Sequence, residues 1–100
     1  MGKVAIAIDN KLRSRFAPAR LAVEDESSRH HGHAGWREGG ETHFRVEIVS
    51  AAFEGQSRVA RQRLVYAALE DEFAAGLHAL ALTTLTPAED DKRTVSSRTQ

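Results

Sequence analysis

The chain has 100 residues, 14 basic and 14 acidic side chains, and no cysteine. Its length fits one domain with one modest core, and its balanced charge excludes a protein-wide cationic field that would attract nucleic acid, so any such binding needs a local patch. Without cysteine the chain has neither disulfides nor thiolate ligands, and a metal would have to be bound by His, Asp or Glu.

The first predicted element is a helix that ends at Ala17-Pro18, because the residue before a proline resists the helical conformation. Its apolar stripe has helical spacing and comprises Ala5, Ile8, Leu12 and Phe16. Charged residues at 9 and 11 interrupt the apolar start well before the ~18 residues that a membrane span needs, and no signal-peptide cleavage site follows. We therefore expect a cytoplasmic protein without a membrane partner.

Two strands follow, separated by a loop at 27–41 that is rich in Ser, Gly and His. Leu21–Val23 predicts a short strand, and Thr42–Ser50 alternates between apolar and polar residues as a half-buried strand does. The position of His43 on the polar face favours a contact across the sheet over metal binding. The apolar face comprises Phe44, Val46 and Ile48, and the polar face comprises His43, Arg45 and Glu47.

A long amphipathic helix is predicted over Arg58–Ala75. Ser57 is a suitable N-cap for it, and Gly76 is suited to its C-terminal end, where the backbone usually turns left-handed. The turn before this helix is predicted at Phe53-Glu54-Gly55.

The last predicted element is a strand over the apolar run Leu77–Thr86, long enough to be covered on both faces and ended by Pro87. We expect the domain to span residues 1–88 and residues 89–100 to form a flexible polar tail, because that segment is rich in Ser, Thr and charge.

The element order α-β-β-α-β predicts an α/β domain of the two-layer α+β kind. The first two strands should pair antiparallel, and the second and third, joined through a helix, should lie parallel in a right-handed crossover. Helices would then cover one face of a three-stranded mixed sheet.

Five segments of the chain, in order and in spacing, resemble the pattern of the BolA family between about residues 6 and 88. They are Asp25-Glu26-Ser27, Gly40-Glu41-Thr42-His43-Phe44, Phe53-Glu54-Gly55, Arg61-Gln62-Arg63-Leu64-Val65-Tyr66 and Leu77-His78-Ala79-Leu80. The resemblance implies a KH-like fold of the second topological type. It also implies a non-catalytic adaptor that forms a heterodimer with a monothiol glutaredoxin. The two would share a [2Fe–2S] cluster, with glutathione, in iron–sulfur cluster assembly, trafficking and iron regulation.

The resemblance also implies two metal ligands on this chain. One is His78, at the start of the last strand. The other lies in the loop between the first two strands, where His30 is favoured, His33 is its rival and His31 is also present. Because imidazole ligates iron but this chain has no thiolate, it cannot hold such a cluster alone, and we expect no cofactor on the free chain. The free chain is expected to be a monomer or a weak homodimer.

Two other function classes are open to the sequence. Arg58, Arg61 and Arg63 lie near one helix start and could contact nucleic acid, as in a transcriptional regulator, or the surface of a protein partner. Zero net charge argues against strong nucleic-acid binding. Ser27 and Ser28 lie near the loop histidines, but nothing indicates the third, orienting group that a Ser–His nucleophile needs, so we expect no catalysis.

Overall fold

A computed structural model describes residues 2–26 and 42–98, with residues 94–98 described by their backbone alone. The elements in chain order are α1 (Lys3–Phe16), β1 (Arg20–Asp25), β2 (His43–Val49), a 3₁₀ turn (Ala51–Phe53), α2 (Arg58–Ala68), α3 (Glu70–Ala75), β3 (Ala79–Leu85) and α4 (Pro87–Arg98). In the parts of the chain that the structure describes, no helix is both long enough and apolar enough to cross a lipid bilayer.

The three strands form one mixed sheet in the order β1-β2-β3. Strands β1 and β2 pair antiparallel, with Val23 opposite Val46. Strands β2 and β3 pair parallel, with Val46 opposite Leu82. The predicted sheet and its strand directions are confirmed, and the chain has an α+β fold.

The core lies between the helices and one face of the sheet. Strand β2 contributes its predicted apolar face, and the predicted stripe of α1 packs against it. Burying a large aliphatic or aromatic side chain stabilises a fold by roughly 1.5–3 kcal/mol, so the fully buried members dominate the stability of this layer. They include Ile8, Leu12, Phe44, Val46, Ile48, Phe53, Val65 and Leu69.

The long helix predicted over 58–75 is two helices, α2 and α3, with a break at Leu69. Leu69 leaves the helical conformation (φ −108°, ψ 18°), and its amide donates to the carbonyls of both Val65 and Tyr66. Acidic residues occupy the first turn of α3, where a helix N-terminus stabilises negative charge. Phe73 of α3 packs against the ring of Tyr66, with ring centroids 5.4 Å apart.

The helix ends have the predicted caps. The Ser57 hydroxyl accepts a hydrogen bond from the amide of Ala60 at 3.1 Å, which satisfies one free donor of the first turn of α2. Gly76 closes α3 with a φ of 127°, and Gly55 in the preceding turn has a φ of 77°. Both angles lie in the region where a side chain is unfavourable, which is why glycine occupies these positions.

Strand β3 is covered on one face only, and the prediction of a strand buried on both faces is wrong. Leu80 and Leu82 pack against the core, whereas Ala79, Ala81 and Thr83 are exposed. The run looked continuously apolar because the open face carries alanine, which is small and tolerates water. Among residues 2–26 and 42–98, no helix buries this face of β3 at Ala79 and Ala81.

The C-terminal segment is helical, which corrects the expectation of a flexible tail. Thr86 and Glu89 form a reciprocal cap: the amide of Glu89 donates to the Thr86 hydroxyl at 3.2 Å, and the amide of Thr86 donates to the Glu89 carboxylate at 2.8 Å. Pro87 takes the first helical position, where its missing N–H leaves nothing unsatisfied.

Helix α4 also corrects the expectation that all helices lie on one face. Arg93 of α4 pairs with Glu47 of β2. Glu47 alternates with Val46 and Ile48, so it lies on the face opposite the core. Helix α4 therefore reaches the open face of the sheet.

Candidate functional site

Three chain segments meet at one end of the sheet. Since β2 and β3 run parallel and β1 runs against them, the end of β1 and the starts of β2 and β3 lie at the same end of the sheet, with β2 between the other two strands. The amide of Glu26 donates to the carbonyl of His43 at 2.8 Å, and the amide of His78 donates to the carbonyl of Thr42 at 2.7 Å. Glu26 and Thr42, the described residues that flank the segment 27–41, are therefore fixed at the same end of the sheet as His78, with Thr42 bonded directly to it.

His78, the predicted strand ligand, lies directly before β3 with an exposed side chain. Its ring contacts the ring of His43, with centroids 5.2 Å apart and planes inclined at 54°. An exposed imidazole held at one flank can donate a nitrogen to a group brought from outside the chain, so the geometry fits the ligand role.

His43 is buried, with 5% of its surface exposed, although the alternation of β2 placed it on the polar face. Its Nδ1 lies 2.8 Å from the hydroxyl of Thr42, which is itself 1% exposed. The contact with His78 is the cross-sheet contact that the sequence favoured, and Ala79, the residue after His78, is the register partner of His43 on β3. The sequence carried no signal for the burial, which depends on what packs around the end of the sheet.

An ion pair stabilises the position of Glu26, the residue that precedes the segment 27–41. Arg45 Nε lies 3.0 Å from the carboxylate of Glu26, a residue only 6% exposed. The hydrogen bond with Glu26 raises the pKa of Arg45 above its ordinary value. Glu26 is thus held to β2 through both its backbone amide and its side chain.

The predicted loop ligands His30 and His33, and their neighbour His31, lie outside the described residues. Among the residues that are described, no group of three or more His, Asp or Glu side chains could hold a metal ion. The described part of the site therefore offers the imidazole of His78, and a complete coordination sphere needs ligands from elsewhere.

The three arginines proposed for nucleic-acid or partner contact do not share a surface. Arg61 is 6% exposed, whereas Arg58 and Arg63 are exposed. Arg63 lies about 200° around the helix axis from Arg61, since successive residues are rotated by about 100°. A single basic patch of these three residues, which the nucleic-acid hypothesis needs, is absent from this helix.

The guanidinium of Arg61 is bonded within the fold. It donates to the carbonyls of Gln56 and Thr84 at 2.9 and 3.3 Å, and to both carboxylate oxygens of Glu89 at 2.6 and 3.3 Å. The hydrogen bond from Arg61, followed by that from the backbone of Thr86, lowers the pKa of Glu89 to about 2. Arg61 thus joins α2, β3 and α4.

A profile of the family described as BolA-like protein matches residues 12–89. The chain is 47% identical over 93 residues to SufE-like protein 1, chloroplastic/mitochondrial, of Arabidopsis thaliana, a match covering 89% of this chain and 25% of that protein. It is 46% identical over 89 residues to BolA-like protein 1 of Homo sapiens, covering 89% of this chain and 62% of that protein. The chain spans a quarter of the first relative and less than two thirds of the second.

Solved structures agree with these matches. The BolA domain of SufE1 from Arabidopsis thaliana superposes with a TM-score of 0.81 at 47% identity, covering 89% of this chain and 98% of that one. The solution structure of BolA1 from Mus musculus superposes with a TM-score of 0.80 at 44% identity, covering 94% of this chain and 73% of that one. The family match, the sequence identities and the shared fold lead to one conclusion: the chain belongs to the BolA-like family.

Proposed function

We propose that this chain is a non-catalytic adaptor that forms a heterodimer with a monothiol glutaredoxin and shares a [2Fe–2S] cluster with it. Its role would lie in iron–sulfur cluster assembly and trafficking and in iron regulation. One observation supports this most strongly. In a chain without cysteine, an exposed imidazole, that of His78, lies at the end of the sheet that also holds Glu26 and Thr42, the residues on either side of the His-rich segment 27–41.

The donor chemistry supports a shared site. Imidazole nitrogens and cysteine thiolates together ligate [2Fe–2S] clusters in Rieske centres, so mixed ligation is chemically sound. This chain offers nitrogen and oxygen donors only. The thiolates would come from the cysteine of the glutaredoxin and from glutathione, and His78 would donate from its neutral form.

The second ligand of this chain is proposed to be His30, with His33 as the rival and His31 as a further candidate. All three belong to the segment between Glu26, which bonds to His43, and Thr42, which bonds to His78. Separate alanine variants of the three distinguish them, since only the ligand should alter the spectrum of the bound cluster.

Family membership supports a role in binding rather than catalysis. The compartment is proposed to be the cytoplasm, although relatives named as chloroplastic or mitochondrial show that members differ in this respect. The free chain is proposed to be a monomer or a weak homodimer without a cofactor.

The experiment mixes the chain with a monothiol glutaredoxin, glutathione, iron and sulfide under anaerobic conditions. We expect a heterodimer in size-exclusion chromatography and a visible circular dichroism spectrum that differs from that of the glutaredoxin alone. His78→Ala should lose this difference, and Ser14→Ala, which changes an exposed side chain on α1, should keep it. A wild-type chain that forms no cluster-bearing heterodimer, or a His78→Ala variant with the wild-type spectrum, would contradict the proposal.

A further inference from the structure

We propose that His43 is a positioning residue that holds the imidazole of His78 in one orientation for ligation. The ligand role of His78 in this inference rests on the proposed function. The contacts that orient His78 lie entirely within the described residues. His43 is not itself proposed as a ligand: its ring is buried, and it acts through the ring that it contacts.

Thr42 ties the two histidines together. Its carbonyl accepts hydrogen bonds from the amides of His78 and Ala79, at 2.7 and 3.1 Å, which fixes the backbone from which the His78 side chain projects. Its hydroxyl lies 2.8 Å from Nδ1 of His43, which fixes the orientation of that ring. The ring of His43 in turn contacts the ring of His78, so the Thr42 backbone and side chain both help to position His78.

Burial holds the side chain of His43 in one rotamer. Thr42 and His43 are 1% and 5% exposed, so neither side chain can change rotamer without disturbing its neighbours. His78, by contrast, is exposed, and an exposed side chain exchanges between staggered rotamers on the picosecond-to-nanosecond timescale. A ring packed against one flank of His78 removes the rotamers that would occupy that space.

Restricting His78 before it binds removes part of the entropy that ligation would otherwise cost. Immobilising one flexible side chain on binding weakens affinity by about two- to tenfold. Removing the ring of His43 should therefore weaken cluster retention by about that factor. It should also leave His78 able to ligate, which distinguishes a positioning residue from a ligand.

The first test is nuclear magnetic resonance of the free full-length chain. Three-bond couplings at His78 should report one dominant χ1 rotamer in the wild type and averaged rotamers in His43→Ala. His43→Phe, which restores a planar ring at the same position, should restore the dominant rotamer. If His43→Ala does not fold, His43→Val, which suits a strand but is smaller than the ring, replaces it with the same expected averaging.

The second test measures dissociation of the cluster from the glutaredoxin complex by visible circular dichroism. His43→Ala should dissociate about two- to tenfold more readily, with a spectrum of the same shape, and His43→Phe should match the wild type. Averaged His78 rotamers in the wild type, or wild-type couplings and retention in His43→Ala, would overturn the inference. If the wild type forms no cluster while His43 still fixes the His78 rotamer, the proposed function fails and the positioning role stands.

Discussion

Arg61 shows how a single residue can be misread from the sequence. Val65 is buried on α2, and Arg61 lies four residues before it, on the same face of the helix. Its charge nevertheless suggested exposure, because arginine is almost never fully buried without a partner. The partner is Glu89, distant in sequence and placed in a segment predicted to be a flexible tail. The helical spacing therefore indicated that Arg61 is buried. Its partner carboxylate could not be identified from the local sequence, so Arg61 was expected to be exposed.

Replacing Arg61 with methionine should destabilise the domain. The substitution keeps an apolar stem but removes the donors to the buried carbonyls and to Glu89. Leaving buried acceptors unsatisfied costs about 1–3 kcal/mol. We expect a lower urea midpoint with an unchanged slope. Arg63→Met, at an exposed position on the same helix, should change the free energy of unfolding by less than about 0.5 kcal/mol. Equal midpoints for the two variants would show that the Arg61 bonds contribute nothing.

The carboxylate of Glu89 should make the domain sensitive to acid. Its hydrogen bond from Arg61, then that from the backbone of Thr86, lower its pKa from 4.5 to about 2 in the folded chain. The folded state thus binds fewer protons than the unfolded state in this range, so the contribution of Glu89 is complete above pH 4.5 and is lost as pH falls towards about 2.

Glu89→Gln isolates this effect, because its side chain does not titrate. Glu47 and Asp90 also have lowered pKa values, mainly through hydrogen bonds from Arg20, and they contribute the same acid sensitivity to both proteins. Denaturant unfolding measured between pH 5 and pH 2 should therefore show a steeper loss of stability in the wild type than in the variant. Parallel curves would contradict the assignment of Glu89.

Among the elements, α4 was missed because the amino-acid composition of its segment is typical of a flexible tail. Its Ser, Thr and charged residues are typical of disordered segments, and this outweighed a short signal: Thr86-Pro87-Ala88-Glu89 is a capping box with proline at the first helical position. The helix is further tied to the sheet by Arg20, which pairs with Asp90 at 2.6 Å and with Glu47 at 2.5 Å. Such long-range partners could not be found from local sequence.

Removing the Thr86 hydroxyl should loosen α4. Threonine-to-alanine changes at an N-cap cost about 0.5–2 kcal/mol, and here the hydroxyl accepts the amide of Glu89. In Thr86→Ala we expect faster hydrogen–deuterium exchange in peptides from α4, with exchange in β2 unchanged. Ser14→Ala, an exposed change in α1, serves as the control and should leave α4 exchange at the wild-type rate. Unchanged exchange in Thr86→Ala would show that other contacts hold the helix start.

For the molecule as a whole, the fold was more predictable than the site. Alternation in β2 and the four-residue steps of α1 fixed which faces are apolar, and the helical crossover fixed the direction of β3. His78 was predicted only through the family resemblance, because one histidine before an apolar strand is uninformative by itself. The burial of His43 arises from packing at the end of the sheet, where segments far apart in sequence meet, and a single sequence does not encode that in a local pattern.

Because His78 is exposed, its role in the proposed function can be tested separately from its effect on folding. His78→Ala shortens an exposed side chain and loses its ring contact with His43, so the free energy of unfolding of the free chain should change by only about 0.5 kcal/mol. A partner that binds only the folded chain stabilises it by mass action, by about 2.7 kcal/mol at a hundredfold excess over its dissociation constant. With glutaredoxin, glutathione and cluster added, hydrogen–deuterium exchange of peptides from β2 and β3 should slow in the wild type but not in His78→Ala. Exchange measured without additions is the control and should be equal in the two proteins. If both proteins were protected equally by the complex, the partner would bind without the His78 imidazole, and the shared-cluster proposal would fail while the fold assignment stood.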